Sequence, residues 1–120
     1  MATRIIITGT IDMPAENIAP ALASAKPLID GALTEPGCLD YDWCPDPRIP
    51  GRIRVLERWE SEAALSAHFQ CEWYLNMRTH LATYGITGAS VAKYRVDIEE
   101  PVYDSTMTPR ADFFTEKNSD

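Results

Sequence analysis

Two runs of alternating side chains, separated by a proline-rich loop and followed at once by a helix start, constrain this chain more than anything else in it. The first, CLDYDWC at 38–44, sets Leu39, Tyr41 and Trp43 on one face of a strand and Asp40 and Asp42 on the other. The second, RIRVLERWE at 52–60, sets Ile53, Val55, Glu57 and Trp59 against Arg52, Arg54, Leu56 and Arg58. Pro45, Asp46, Pro47, Pro50 and Gly51 between them make a loop, so the two strands should form an antiparallel hairpin. Ser61 then offers an N-cap, with Glu62 in the first turn where the helix dipole favours it. Leu65, His68 and Phe69 share one face of the helix that follows. A second helical segment carries Trp73, Met77, Leu81 and Tyr84 and ends at Gly85. Residues 37–77 hold all three tryptophans and one of the two histidines, so any pocket should be built largely from this stretch.

The flanks complete the pattern. Residues 4–11, RIIITGTI, are rich in β-branched side chains and read as a strand, with Ile5, Ile7 and Ile11 on one face and Ile6, Thr8 and Thr10 on the other. Ile18, Ala21, Leu22, Ala25, Leu28, Ile29, Ala32 and Leu33 form one apolar helical face. Asn17 can cap that helix, Pro20 fits its first turn, Pro27 should kink its interior, and Glu35-Pro36-Gly37 ends it. Residues 88–98 read as a last strand, with Ala92, Tyr94, Val96 and Ile98 facing one way and Lys93, Arg95 and Asp97 the other.

The element order is therefore β-α-β-β-α-β with the second helix in two pieces. That is the ferredoxin-like α+β arrangement, a four-stranded antiparallel sheet with both helices on one face. The other face is left bare, and Ile6 and Leu56 make it too apolar for open solvent. A second copy packed face to face, as a two-fold homodimer, is the simple remedy. The chain divides into a domain over residues 1–98 and an extension over 99–120. The extension loses periodicity after Glu99 and ends in the polar EKNSD. Val102, Tyr103, Phe113 and Phe114 need something to pack on, so the extension is expected on the partner subunit.

With 120 residues, the chain is one domain by size. A net charge of −7 argues against nucleic acid and against an anionic membrane surface as partners. The three cysteines, Cys38, Cys44 and Cys71, form no CxxC pair. Cys38 and Cys44 on one regular strand stand roughly 20 Å apart, too far for a disulfide. With no disulfide framework, no secretory leader and no apolar run of membrane-spanning length, the expected location is the cytoplasm. The two histidines stand twelve residues apart and fit no common metal-ligand spacing, and no glycine-rich phosphate loop occurs.

The runs EPGCLDYDWCPDP and RVLERWESEAALSAHF resemble the antibiotic biosynthesis monooxygenase (ABM) domain family, of the dimeric α+β barrel superfamily. The resemblance rests on Pro36, Gly37, Cys38, Leu39 and Tyr41, then Glu57 and Trp59 at a strand end, then Ala67, His68 and Phe69, and covers about residues 4–98. It implies a homodimeric α+β barrel. It also implies, as in some members, oxidation of a small phenolic or quinol-type aromatic by molecular oxygen, with no metal or flavin. Two departures stand out. Many members carry a second histidine soon after the Ala-His, where this chain has Trp73 and Tyr74. The haem-degrading branch uses an Asn on its first strand, which this chain lacks.

On this reading His68 is the candidate catalytic base. Tyr41, Glu57, Trp59, Phe69, Trp73 and Met77 are the candidate substrate-binding residues. The plainer alternatives are real. A histidine on an apolar helix face is more often simply hydrogen-bonded in the core, Glu57 among apolar neighbours is more often a structural hydrogen-bond partner, and aromatics at this spacing are more often core. The alternative function is a non-enzymatic dimeric barrel that binds a small aromatic ligand.

Overall fold

A computed structural model describes residues 3–115; the polar EKNSD end, 116–120, lies outside the described residues. The elements run β1 (Ile5–Asp12), a 3-10 turn (Ala15–Asn17), α1 (Ile18–Leu33), β2 (Cys38–Pro45), β3 (Arg52–Trp59), α2 (Glu62–Gln70), α3 (Glu72–Ala82) and β4 (Gly88–Arg95). The strands form one antiparallel sheet in the order β2-β3-β1-β4. This is the ferredoxin-like α+β fold expected from the element order.

The register explains which side chains are buried. Ile5 lies opposite Trp59, Ile7 opposite Glu57 and Ile11 opposite Ile53, so the central strands β1 and β3 present one continuous face. That face is buried, together with Ile18, Ala21, Ala25 and Ala32 of α1, Leu65 of α2, and Met77 and Leu81 of α3. A bulge in β2 between Cys38 and Asp40 shifts its register by one residue. Both Cys38 (opposite Trp59) and Tyr41 (opposite Glu57) therefore turn to the helical side.

Ser61 caps α2 as its type predicts, its hydroxyl accepting from the Ala64 N–H at 3.1 Å. The break between α2 and α3 falls at Cys71, whose backbone is extended. Two local readings change. Asn17 lies in a helical conformation at the end of the 3-10 turn and cannot offer its side chain to α1. It instead donates Nδ2–H to the Tyr84 carbonyl at 2.8 Å, tying the start of α1 to the end of α3. The last strand ends at Arg95 rather than 98, because Arg95 pairs with Ile5, the first residue of β1, and its partner strand is then used up.

Gly9 of β1 lies opposite Val91 of β4 with no room for a side chain. A methyl group there would fall on the Ser90 carbonyl oxygen and on Cα of Val91, both backbone atoms. Gly9→Ala is expected to force the two strands apart and to cost about 3 kcal/mol of stability, near the top of the range for overpacking. Chemical denaturation measures it; an unchanged midpoint would show that β4 is held loosely.

The sheet face turned away from the helices carries Ile6, Leu56 and Tyr94, with Leu56 and Tyr94 exposed. Arg58 on that face pairs with Asp40 and, at 3.5 Å, with Glu99, which also receives a 2.7 Å hydrogen bond from Arg4. Among the described residues no helix is long and apolar enough to cross a membrane.

Candidate functional site

A cavity of about 490 Å³ lies between the helical face of the sheet and α2–α3. β2 contributes Tyr41 and Trp43, β3 contributes Val55 and Glu57, and the helices contribute Phe69, Tyr74 and Met77. Arg78, Ile86 and Val91 stand at its exposed margin. An aromatic wall with a single carboxyl on its floor is the composition of a small-molecule site.

Glu57 is on that floor because strand alternation puts it there, between Val55 and Trp59 on the buried face. Its carboxylate accepts a 3.0 Å hydrogen bond from the Trp59 indole N–H. Burial pushes its pKa up from 4.5 to about 7; the indole hydrogen bond opposes the rise and the charge of Glu35 adds to it. The same burial raises the Tyr41 phenol well above its ordinary range, with Glu57 contributing, and lifts the Cys38 thiol to about 11. Glu57 is thus the wall group that exchanges a proton near neutral pH.

His68 sits behind the wall. Its side chain is 1% exposed, and its Nδ1 lies 2.9 and 3.1 Å from the two oxygens of Glu35. A carboxylate can only accept, so Nδ1 carries the hydrogen of this contact. Nε2 is buried with no hydrogen-bond partner among the described residues. The ring packs against Trp59 at 4.4 Å between centroids, Tyr74 at 5.4 Å and Tyr41 at 5.5 Å.

The antibiotic biosynthesis monooxygenase family model matches residues 4–79. The chain belongs to this family. The match runs from the start of β1 through most of α3, taking in every cavity wall residue on β2, β3 and α2. Solved structures share the fold beyond it. A candidate antibiotic biosynthesis monooxygenase from Deinococcus radiodurans superposes with a TM-score of 0.74 at 21% identity, over 83% of this chain and 99% of that one. A conserved protein of Methanosarcina mazei Go1 gives 0.70 at 22% identity, over 78% and 92% of the two chains. An uncharacterized protein of Synechocystis sp. (strain ATCC 27184 / PCC 6803 / Kazusa) is 27% identical over 70 residues, 58% of this chain. The chain spans about half the length of that curated relative, 48%.

Within this ABM domain the structure gathers Tyr41, Glu57, Phe69 and Met77 around one cavity. Trp59 and His68 lie directly beneath, as buried supports. Trp73 goes elsewhere: its ring covers Gly31 of α1, where any Cβ would collide with it. The restart of the helix after Cys71 sets this phase, so Tyr74, not Trp73, faces the cavity with Met77 and Leu81. Sequence reasoning missed Tyr74 for that reason. It also passed over Trp43, whose strand parity with Tyr41 was a usable signal, and Glu35, which read only as helix punctuation before Pro36-Gly37. His80 bonds the Ala21 carbonyl at 3.0 Å, a tie between α3 and α1. Among the described residues no group of three or more His, Cys, Asp or Glu side chains could hold a metal ion.

Proposed function

We propose that this ABM-family protein oxidises a small phenolic or quinol-type aromatic with molecular oxygen, with Glu57 as the general base. The reading rests on one observation above all: a carboxyl with a pKa pushed to about 7 sits among the aromatic walls of a cavity whose one other charged lining residue, Arg78, stands at the exposed margin. A base with that pKa is matched to removing a phenolic proton at neutral pH. The phenolate is then the electron source. One oxygen atom of O₂ enters the ring carbon and the other leaves as water, so a phenol with a free para position and one O₂ yield a quinone and one water. The ring is oxidised, dioxygen is reduced, and no outside reductant is consumed. Tyr41, Phe69, Tyr74 and Met77 hold the ring flat and keep bulk water from the intermediate. Trp59 fixes Glu57 through its indole N–H, and the Glu35–His68 pair supports Trp59 from behind. His68, the base expected from sequence, becomes a positioning residue.

Incubation of the protein with a panel of phenols and hydroxynaphthalenes that have a free para position, under ¹⁸O₂, tests the reading. The expected product is a quinone with one ¹⁸O atom per molecule and one O₂ consumed per quinone formed. Saturable binding of the same aromatics with no oxygen uptake would instead make the protein a binding module.

A further inference from the structure

We propose that residues 99–115 form an arm that docks on a second copy of this chain, in the groove between α2 and the free edge of β4, beside the mouth of the Glu57 cavity. The arm is built, yet it is not packed on its own subunit's core. Tyr103 bridges Pro109, Arg110 N–H donates to the Val102 carbonyl at 2.8 Å, and Asp104 N–H donates to the Thr108 carbonyl at 3.0 Å. The Asp104 carboxylate accepts from Thr106 and Thr108, and the Glu100 carboxylate accepts from the backbone of Phe114 and Thr115. These bonds preshape a short hairpin with most of its apolar side chains outward. Val102 is 60% exposed, Tyr103 51%, Met107 73% and Phe113 49%.

The molecule is correspondingly long. Its radius of gyration is 16.8 Å and its extents are 52 × 33 × 21 Å, against about 14 Å for a compact chain of this length. A preformed apolar hairpin held away from the core is an interaction element, since exposing it otherwise only costs solubility.

The groove matches the arm in polarity and charge. It measures about 370 Å³, with an apolar floor of Ile5, Leu65 and Phe69. Lys93 and Arg95 stand on its rim with Glu62, so the two cations outnumber the one carboxylate of the lining. The arm brings Glu100, Asp104 and Asp112 against the single cation Arg110, so its net charge opposes that of the rim. β4 is the last strand of the sheet on that side, and its outer backbone groups can accept an extended segment such as Val102–Tyr103. Arg4 and Arg58 hold Glu99, the first residue of the arm, at the opposite, open face of the sheet, so the arm starts on the far side of the sheet from its own subunit's groove. That open face is where a second copy would sit, which places each arm within reach of the other subunit. Phe69 belongs to both the groove and the cavity wall, so the partner's arm would also cover one side of the cavity mouth.

Zero-length carbodiimide cross-linking of a mixture of ¹⁴N- and ¹⁵N-labelled full-length protein tests this directly. The expected products are mixed-isotope pairs joining Lys93 to Glu100, Asp104 or Asp112. Val102→Asp with Phe113→Asp, and separately Lys93→Glu with Arg95→Glu, should each raise the dimer dissociation constant at least tenfold in sedimentation equilibrium. All four positions lie outside the core, so both variants should keep the wild-type circular dichroism. Single-isotope pairs alone, cross-links from the arm to another surface, a monomeric wild type, or unchanged dimerisation in both variants would each overturn the proposal.

Discussion

Glu57→Gln is expected to make the protein more stable at pH 8 and to remove the proposed monooxygenase activity. Glutamine keeps an oxygen to accept from Trp59, so the geometry survives while the ionisable group is lost. The folded carboxyl titrates near 7 against an ordinary 4.5. Burial therefore favours the protonated form, and the fold is not penalised below about pH 4.5, where folded and unfolded chains both hold the proton. The penalty grows as pH rises from there through 7, where the unfolded chain has released the proton and the folded one must release it into an apolar site. Above 7 it levels off at about 3 kcal/mol. The stability difference between Glu57→Gln and wild type should shift by up to that amount in favour of the variant between pH 4 and pH 8. Any fixed cost of burying the amide cancels in that comparison. Denaturant melts at the two pH values measure it, and an equal difference at both would show that the Glu57 carboxyl titrates in the folded protein as it does in the unfolded chain, so that burial does not raise its pKa. Turnover on a quinol should fall by about 10²–10⁴-fold, the usual worth of a general base.

His68→Ala should fail in a different way. It removes a fully buried ring packed on Trp59 and leaves Glu35, whose side chain is only 10% exposed, without its partner. Cavity formation and an orphaned carboxylate together should cost about 3–5 kcal/mol, a large share of the stability of a domain this size. The variant is expected to melt far earlier and to lose activity with its fold. Activity lost at wild-type stability would move the base back to His68 and contradict Glu57 as the general base.

The contrast between these two residues shows what the sequence could and could not reveal. Alternation in 38–44 and 52–60, the β-branched first strand and the Ser61 cap carry the sheet, its inner face and the helix that follows, because period-two patterning and capping are local signals. Glu57 was legible as a carboxyl on an apolar face, and that anomaly is what the proposed site is built on. The depth of His68 was not legible, because helical periodicity tells which face a residue occupies but not what comes to cover it. Here Glu35 arrives from the end of α1, 33 positions away in sequence. Trp73 and Tyr74 could not be separated either, since a single extended residue at Cys71 resets the helical phase and exchanges their directions. Asn17 failed as a cap because a 3-10 turn precedes α1, and such turns leave little trace in side-chain patterning.

Everything proposed for the cavity depends on Glu57 being a neutral-pH carboxyl at its wall. A carboxyl ¹³C NMR titration of glutamate-labelled protein, with the resonance assigned by its absence in Glu57→Gln, measures this without any turnover. The expected result is a midpoint near pH 7 that shifts when a phenolic ligand is added. A midpoint near 4.5, unmoved by any phenol, would contradict it.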